Sequence, residues 1–342
     1  MATMVPLVGM DELIARLRLA RRVAIFSHQR PDTDALGSQC AMALLLRYLG
    51  ATEITLVEYG DIPPAYGFLL KEFVHARRRT WSPETEAAIE ADCDTLVAVD
   101  TCTWQQMEKA SALLKRCSAK VVAVDHHLSR DPIGPVIYAD TNAAACCQIL
   151  AAAAVAAGMT LDRELALPIM AGLAGDTGWF RFDNTTPAVM ELATKLIATG
   201  LDSARLYQQI MQSERPEKLA LTVRALESLQ WHADKRLALM SITQEDFHQT
   251  GAVSSETEYL VDIPQQVGCC MAVALLTEMA DGRVRVSMRS KYGLDVNALC
   301  RQFGGGGHAR AAGCRLEVSM AEARLQVAAL MTPAVQAVPV PN

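Results

Sequence analysis

The chain has 342 residues, 51% of them hydrophobic, and a formal net charge of −6. That length suits two domains of ordinary size, each able to bury a core without a disulfide or structural-metal staple. The acidic balance argues against a surface that coats nucleic acid broadly, and no apolar run nears the roughly eighteen residues a membrane span needs.

The N-terminus lacks the basic-then-apolar layout of a signal peptide. "VAIFSH" (23–28) predicts a buried strand and "DALGSQCAMALLLRYLG" (34–50) a helix ending at Gly50. "EITLVEY" (53–59), "DTLVAVD" (94–100), "AKVVAVDHH" (119–127) and "PVIYAD" (135–140) predict four more strands, with a helix over 104–116. Strands that are apolar throughout and separated by helices predict a mostly parallel sheet covered on both faces. Helices are expected from about 143 to 230, including the alanine-rich region after Asn142.

From about 237 the pattern changes. "RLALMSIT", "CCMAVALLTEM" and "RVRVSMRS" predict strands, "DVNALCRQF" a short helix, and a glycine run follows at 304–307. Between Arg283 and Arg315 there are seven Lys/Arg and one acid, Asp295, a local basic patch in an acidic chain. The tail "TPAVQAVPVPN" is expected to fray. The resulting division is an α/β first domain over 12–200, a helical linker over 201–235, and a smaller α/β domain over 236–335. The ten cysteines are scattered, mostly in apolar runs, with adjacent pairs at Cys146–Cys147 and Cys269–Cys270 and no CxxC. This usage points to a reducing cytoplasm, where thiols act as small hydrophobes.

In an open α/β sheet, ligands gather outside the carboxyl ends of the strands. The first predicted strand ends at His28 and is followed by Asp32 and Asp34. Others end at Asp100 and at Asp125, His126 and His127, and Asp176 follows an apolar segment between Gly175 and Gly178. Each piece alone has an ordinary reading: a helix cap, a packed histidine, an accidental acid pair. Together they cluster carboxylates that would repel one another at low dielectric unless a cation intervenes. Mixed carboxylate and imidazole donors without thiolates suit Mn²⁺ better than a structural zinc.

"HQRPDTDALGS", "AVD", "VDHH" and "GDTGWFRF" resemble, in order, the four motifs of the DHH phosphoesterase superfamily. "GGGGHARAAG" (304–313) resembles the signature of a C-terminal domain found in many members. The resemblance spans roughly 20–320 and is nearest, in length and layout, to the bifunctional oligoribonuclease (nanoRNase) and 3′-phosphoadenosine 5′-phosphate phosphatase group. It implies two Mn²⁺ ions, with Mg²⁺ or Co²⁺ as substitutes, and Asp100 as their bridge. His28 and Asp32 would complete one site; Asp34, His126 and Asp176 would complete the other. His127 would face the substrate phosphate, and Asp125 would orient a ligating histidine. Asp100, His127 and Asp34 are the expected catalytic set.

Substrate contacts are expected from Arg289 and Ser287 in "SMRS" and from Gly306, Gly307, His308 and Arg310, with glycine amides approaching an anion closely. The substrates implied are short RNA oligonucleotides or small nucleotides, for a protein off the membrane with room for a homodimer. Two departures stand out. "NAAACC" (142–147) places Ala144, Ala145 and Cys146 where small hydroxyl residues are usual, and Gly175 stands where threonine is common; neither is expected to touch a ligand.

Two metals roughly 3.5–4 Å apart lower the pKa of a shared water and neutralise charge on the phosphoryl group. The reaction the resemblance implies is hydrolysis of short oligoribonucleotides from an end and of the 3′-phosphate of phosphoadenosine phosphate. The alternatives are a cyclic or linear dinucleotide phosphodiesterase, or a nucleotide sensor without catalysis. A complete ligand set weighs against the sensor.

Overall fold

The computed structural model describes residues 7–339 except 61, 72 and 292. The chain divides between Ser213 and Glu214 into two compact units. The stretch expected to be a linker is therefore shared. Helix Ser203–Met211 buries Leu206 and Ile210 in the first unit, and helix Pro216–Glu227 buries Leu221 and Ala225 in the second.

The first unit contains strands β1 (Arg22–Phe26), β2 (Glu53–Glu58), β3 (Arg77–Thr80), β4 (Thr95–Val99), β5 (Val121–Asp125) and β6 (Val136–Ala139). They form one sheet in the order β3-β2-β1-β4-β5-β6, parallel throughout. β4 and β5 are buried along their whole length, as expected of strands covered on both faces. The order reverses between β1 and β4. Their outgoing loops diverge there and open a crevice at the carboxyl edge, where α/β sheets hold ligands.

One face carries Ala24, Phe26, Leu96, Ala98, Val121 and Ala123 under Leu113 and Leu114. Helix Thr33–Tyr48 is buried at every residue from Thr33 to Leu46, because helices Arg163–Asp176 and Cys146–Ala156 enclose it. Close helix packing places Gly172 where a Cβ would come 2.4 Å from Asp34 Oδ1.

Two local expectations differ. The helix expected over 104–116 is two short ones, Trp104–Met107 and Ser111–Arg116, parted at Glu108, whose φ of 10° is not helical. β3, with the sequence RRRT and every residue exposed, was not among the expected strands. As an edge strand it is held by pairing with β2 and by ion pairs Arg77–Glu53 and Arg78–Glu58.

The second unit contains β7 (Gln230–His232), β8 (Leu237–Ile242), β9 (Ala272–Glu278), β10 (Val284–Ser290), β11 (Gly306–Gly307) and β12 (Ala311–Leu316). Their order is β11-β12-β10-β9-β8-β7, antiparallel except for β8–β9. Leu237, Leu239, Val286 and Met288 pack under helices Val296–Arg301 and Met320–Ala337. The alternate residues Ala238, Met240, Val273 and Leu275 pack under helix Pro216–Glu227.

β10 alternates strictly, so Arg285, Ser287 and Arg289 share the face opposite Val286 and Met288. The glycine run ends in a strand: Gly306 pairs with Gly313 and Gly307 with Ala312. The tail expected to fray is helical to Ala337, and Met331, Val335 and Val338 are buried in the core. Residues 340–342 of that expectation lie outside the described residues.

Candidate metal centre

Each cluster residue is fixed by the element that delivers it. Asp32 caps helix Thr33–Tyr48: its Oδ1 accepts the N–H of Asp34 at 3.0 Å and of Ala35 at 2.9 Å. Asp34, in the first turn of that helix, is fully buried. Its two oxygens accept the N–H of Cys146 at 2.6 Å and of Cys147 at 2.9 Å, at the first turn of helix Cys146–Ala156. This corrects the expectation that the "NAAACC" departure touches no ligand. Its backbone holds Asp34, and the Ala143 carbonyl lies 3.2 Å from His126 Nδ1. The second departure also has a physical reason. A Cβ at Gly175 would stand 2.0 Å from Thr33 Oγ1, so Thr33 occupies the room a larger residue would need.

Asp100 follows β4 with a left-handed φ of 58°, uncommon for a residue with a side chain. Its carboxylate stands between two groups. Oδ2 lies 3.2 Å from His28 Nε2, which is 3.8 Å from Asp32 Oδ2. Oδ1 lies 3.4 Å from His126 Nε2, which is 3.2 Å from Asp176 Oδ2 and 3.9 Å from Asp34 Oδ2. Donor atoms of His28, Asp32 and Asp100 lie within 4.8 Å of one another, and so do those of Asp34, His126 and Asp176. Asp100, His126 and His127 make a third such set that joins the two.

Asp125 orients a histidine, but it is His127. Its Oδ1 accepts the N–H of His126 at 2.8 Å and of His127 at 3.2 Å, and lies 2.8 Å from His127 Nδ1. His127 Nδ1 is also 3.8 Å from Asp100 Oδ1.

The electrostatics show too much negative charge in too little water. Burial opposes a charge on His28, yet Asp100, with Asp32 behind it, raises its pKa to about 9. Burial opposes a charge on His126 and His127 as well. Asp100 and Asp176 override it for His126 and hold it well above the usual imidazole range, while Asp125 and Asp100 raise His127. Burial, with the charges of Asp100 and Asp176, lifts Asp34 well above the usual carboxylate range. Burial lifts Asp32 to about 6 against the pull of His28, with Asp100 and Asp176 adding to the rise. Burial would raise Asp100 too, but His126 and His28 hold it low.

The residues fit a divalent cation. Asp100 Oδ1 is a buried carboxylate oxygen that no well-formed hydrogen bond reaches, with His126 Nε2 only at 3.4 Å, which is costly unless a positive charge meets it. The donors are carboxylate and imidazole, a set suited to hard or borderline divalent ions. His28, Asp32, Asp34, Asp100, His126 and Asp176 all belong to these sets.

The second-unit residues form a separate set within their own sheet. Ser287 faces Gly313 across the β10–β12 ladder, and Arg289 faces Ala311. Arg289 Nε lies 3.4 Å from Asp262 Oδ1. A Cβ at Gly305 would come 2.2 Å from the Gly313 carbonyl, so glycine is needed there for the backbones to approach. His308 exchanges backbone hydrogen bonds with Ala311. Arg310 donates to the carbonyls of Lys291 at 2.7 Å and Leu294 at 2.9 Å, bracing the turn before helix Val296–Arg301. Arg285 and Arg315, both within the basic patch read from the sequence, face one another on the face of Ser287 and Arg289.

Residues 22–173 match the DHH family, N-terminal domain, and residues 243–331 match the DHHA1 domain. The chain joins a DHH-family domain to a DHHA1 domain. It is similar to the bifunctional oligoribonuclease and PAP phosphatase NrnA of Bacillus subtilis, with 28% identity over 309 residues covering 89% of this chain and 92% of that protein. A protein of the same name from Thermus thermophilus is 28% identical over 295 residues, covering 86% and 84%. An exopolyphosphatase-related protein from Bacteroides fragilis shares the fold with a TM-score of 0.83 at 20% identity, covering 96% of this chain and 97% of that one. Among the described residues of the DHH-family chain, no helix is long and apolar enough to cross a membrane.

Proposed function

We propose that this metal-dependent phosphoesterase hydrolyses short oligoribonucleotides from an end, and the 3′-phosphate of phosphoadenosine phosphate, using two Mn²⁺ ions. The observation that carries the reading is the pair of acid–imidazole sets with Asp100 between them. Two relatives named for these activities over most of their length support the substrate class.

His28 and Asp32 would hold one ion, Asp34, His126 and Asp176 the other, and Asp100 both. When bound, the ions supply positive charge to the phosphoryl oxygens and activate water at neutral pH. The chain fixes the geometry. Helix-terminal amides clamp Asp34, a cap clamps Asp32, and a left-handed backbone aims Asp100. With Nδ1 engaged by Asp125, His127 would present Nε2 to a substrate oxygen. Arg289, Ser287, His308 and the amides of Gly306 and Gly307 are the proposed grip on the anionic substrate. Arg310 supports that grip by bracing it.

The test is a ladder of labelled RNAs of two to about ten nucleotides incubated with Mn²⁺, with phosphoadenosine phosphate in parallel. Rates should fall as length grows, and AMP should appear from phosphoadenosine phosphate. Inert di- and trinucleotides, or a preference for the longest strands, would overturn the reading.

A further inference from the structure

The turn after Asp176 is built in a conformation that side chains avoid. Gly178, Trp179 and Phe180 have φ of 55°, 57° and 63°. Three successive left-handed residues are rare, and for bulky aromatics they are outliers. Such backbone persists only where its surroundings impose it, and it concentrates at sites that handle ligands.

The bonds that impose it are on both sides of the turn. Thr177 Oγ1 accepts the N–H of Phe180 at 3.1 Å, and the Thr177 carbonyl accepts those of Arg181 at 2.9 Å and Phe182 at 3.0 Å. Arg181 Nε donates to the Gly178 carbonyl at 2.6 Å. Asn184 Nδ2 then donates to the Asp176 carbonyl at 3.0 Å and to that of Ala144 at 3.3 Å. Both ends of the turn are therefore tied to a residue of the His/Asp cluster.

What the turn presents is an aromatic ring. Phe182 is 44% exposed, so its ring is open to a ligand. Its ring rests against Gly178, where a Cβ would come 2.5 Å from the ring atom Cζ. The Arg181 guanidinium lies 5.8 Å from the ring centroid. Trp179 is engaged differently, packing edge-on against Tyr207 with centroids 4.9 Å apart. Gly178 is two residues from Asp176, at most about 7.6 Å of chain. That span is comparable to the distance between a nucleobase and the phosphate on its own sugar.

We propose that Phe182, with the Arg181 guanidinium beside it, is a stacking platform for the nucleobase joined to the phosphoryl group at the cluster. The proposal rests on the phosphoesterase reading above and adds a requirement for a base. Because every base offers a π-face, the platform demands a base without choosing among them. The left-handed turn fixes the distance from ring to cluster.

The test is calorimetric binding of AMP and of ribose 5-phosphate, which lacks the base, to the Mn²⁺-loaded wild type and to Phe182→Ala, Phe182→Leu and Phe182→Tyr. Wild type should bind AMP roughly tenfold more tightly than ribose 5-phosphate. Phe182→Ala and Phe182→Leu should lose that gap, Phe182→Tyr should keep it, and ribose 5-phosphate affinity and metal content should not change. Leucine retains an apolar contact on Gly178, so a ring that only filled the turn would leave the gap intact in Phe182→Leu. No gap in the wild type, a gap that survives both truncations, or equal weakening of both ligands would overturn the proposal. Diadenylate turnover by the wild type is measured alongside. A gap that behaves as expected without turnover supports the platform and rejects the proposed reaction; turnover without such a gap does the reverse.

Discussion

Gly175→Ala should destabilise this protein, although alanine in a helix interior ordinarily stabilises. Gly175 lies in helix Arg163–Asp176, where propensity alone favours alanine by roughly 0.5–1 kcal/mol. The new Cβ, however, would stand 2.0 Å from Oγ1 of the buried Thr33, over an ångström inside ordinary contact. Thr33 opens helix Thr33–Tyr48 and is flanked by Asp32 and Asp34, while Asp176 follows Gly175. Relieving the clash must turn a stiff β-branched side chain or part the two helices, at a cost of about 1–3 kcal/mol. Parting them moves Asp176 from Asp34, so Mn²⁺ affinity should fall as well. In a Thr33→Ala background Oγ1 is gone and the nearest remaining atom, Cβ, is at 3.4 Å. Gly175→Ala should there become neutral or stabilising by up to roughly 1 kcal/mol. Urea unfolding of the four proteins in chelator, with a Mn²⁺ titration of each, measures both effects. The same stabilising change in both backgrounds would refute the contact between the two ligand-bearing segments.

Other expectations follow from the same geometry. The metal-free protein should lose thermal stability as pH rises from about 6 to 9. His28, raised from 6.5 to about 9, contributes stability that is complete below pH 6.5 and lost through pH 9. Asp32, raised from 3.8 to about 6, gives its own loss mainly between those two values, so little of it falls in this range, and it is reduced because 38% of its side chain meets water. A melting temperature in chelator that climbs across this range would contradict it, and Mn²⁺ should reverse the slope. Truncation after Thr332 removes buried Val335 and Val338 and should cost on the order of 2–4 kcal/mol by denaturant unfolding; an unchanged midpoint would show that the tail frays. Arg289→Ala should raise KM for a dinucleotide roughly tenfold with metal content unchanged. If a small aryl phosphoester suffers equally, the second unit does not grip the nucleotide.

The cluster was legible because most of its members announce themselves twice, as a residue type and as a position just beyond an apolar strand; Asp176, the last residue of helix Arg163–Asp176, is the exception. β4 and β5 end where their hydrophobic runs end, and Asp100 and Asp125 stand there. What holds Asp34 was not legible, because its donors are the backbone amides of Cys146 and Cys147, which no residue type advertises. Which histidine Asp125 holds was hidden for a related reason: His126 and His127 are adjacent, and the backbone after β5 decides which ring turns back. β3 escaped because three arginines carry little strand signal, and the edge pairing that makes them a strand is not local. Gly306 and Gly307 carry little strand signal for the same reason. The tail misled by composition, since its prolines and small residues resemble a frayed end while Val335 and Val338 lie in the core.

Metal stoichiometry read together with turnover tests the central claim most directly. Wild-type protein and Asp100→Asn, dialysed against excess Mn²⁺ and freed of unbound ion, would be assayed for bound manganese and for diadenylate hydrolysis. Two ions per chain and hydrolysis are expected for the wild type, with loss of both bound manganese and turnover in Asp100→Asn, because Asp100 stands between the two sets. Full turnover by Asp100→Asn, or by wild type stripped of metal, would contradict the account.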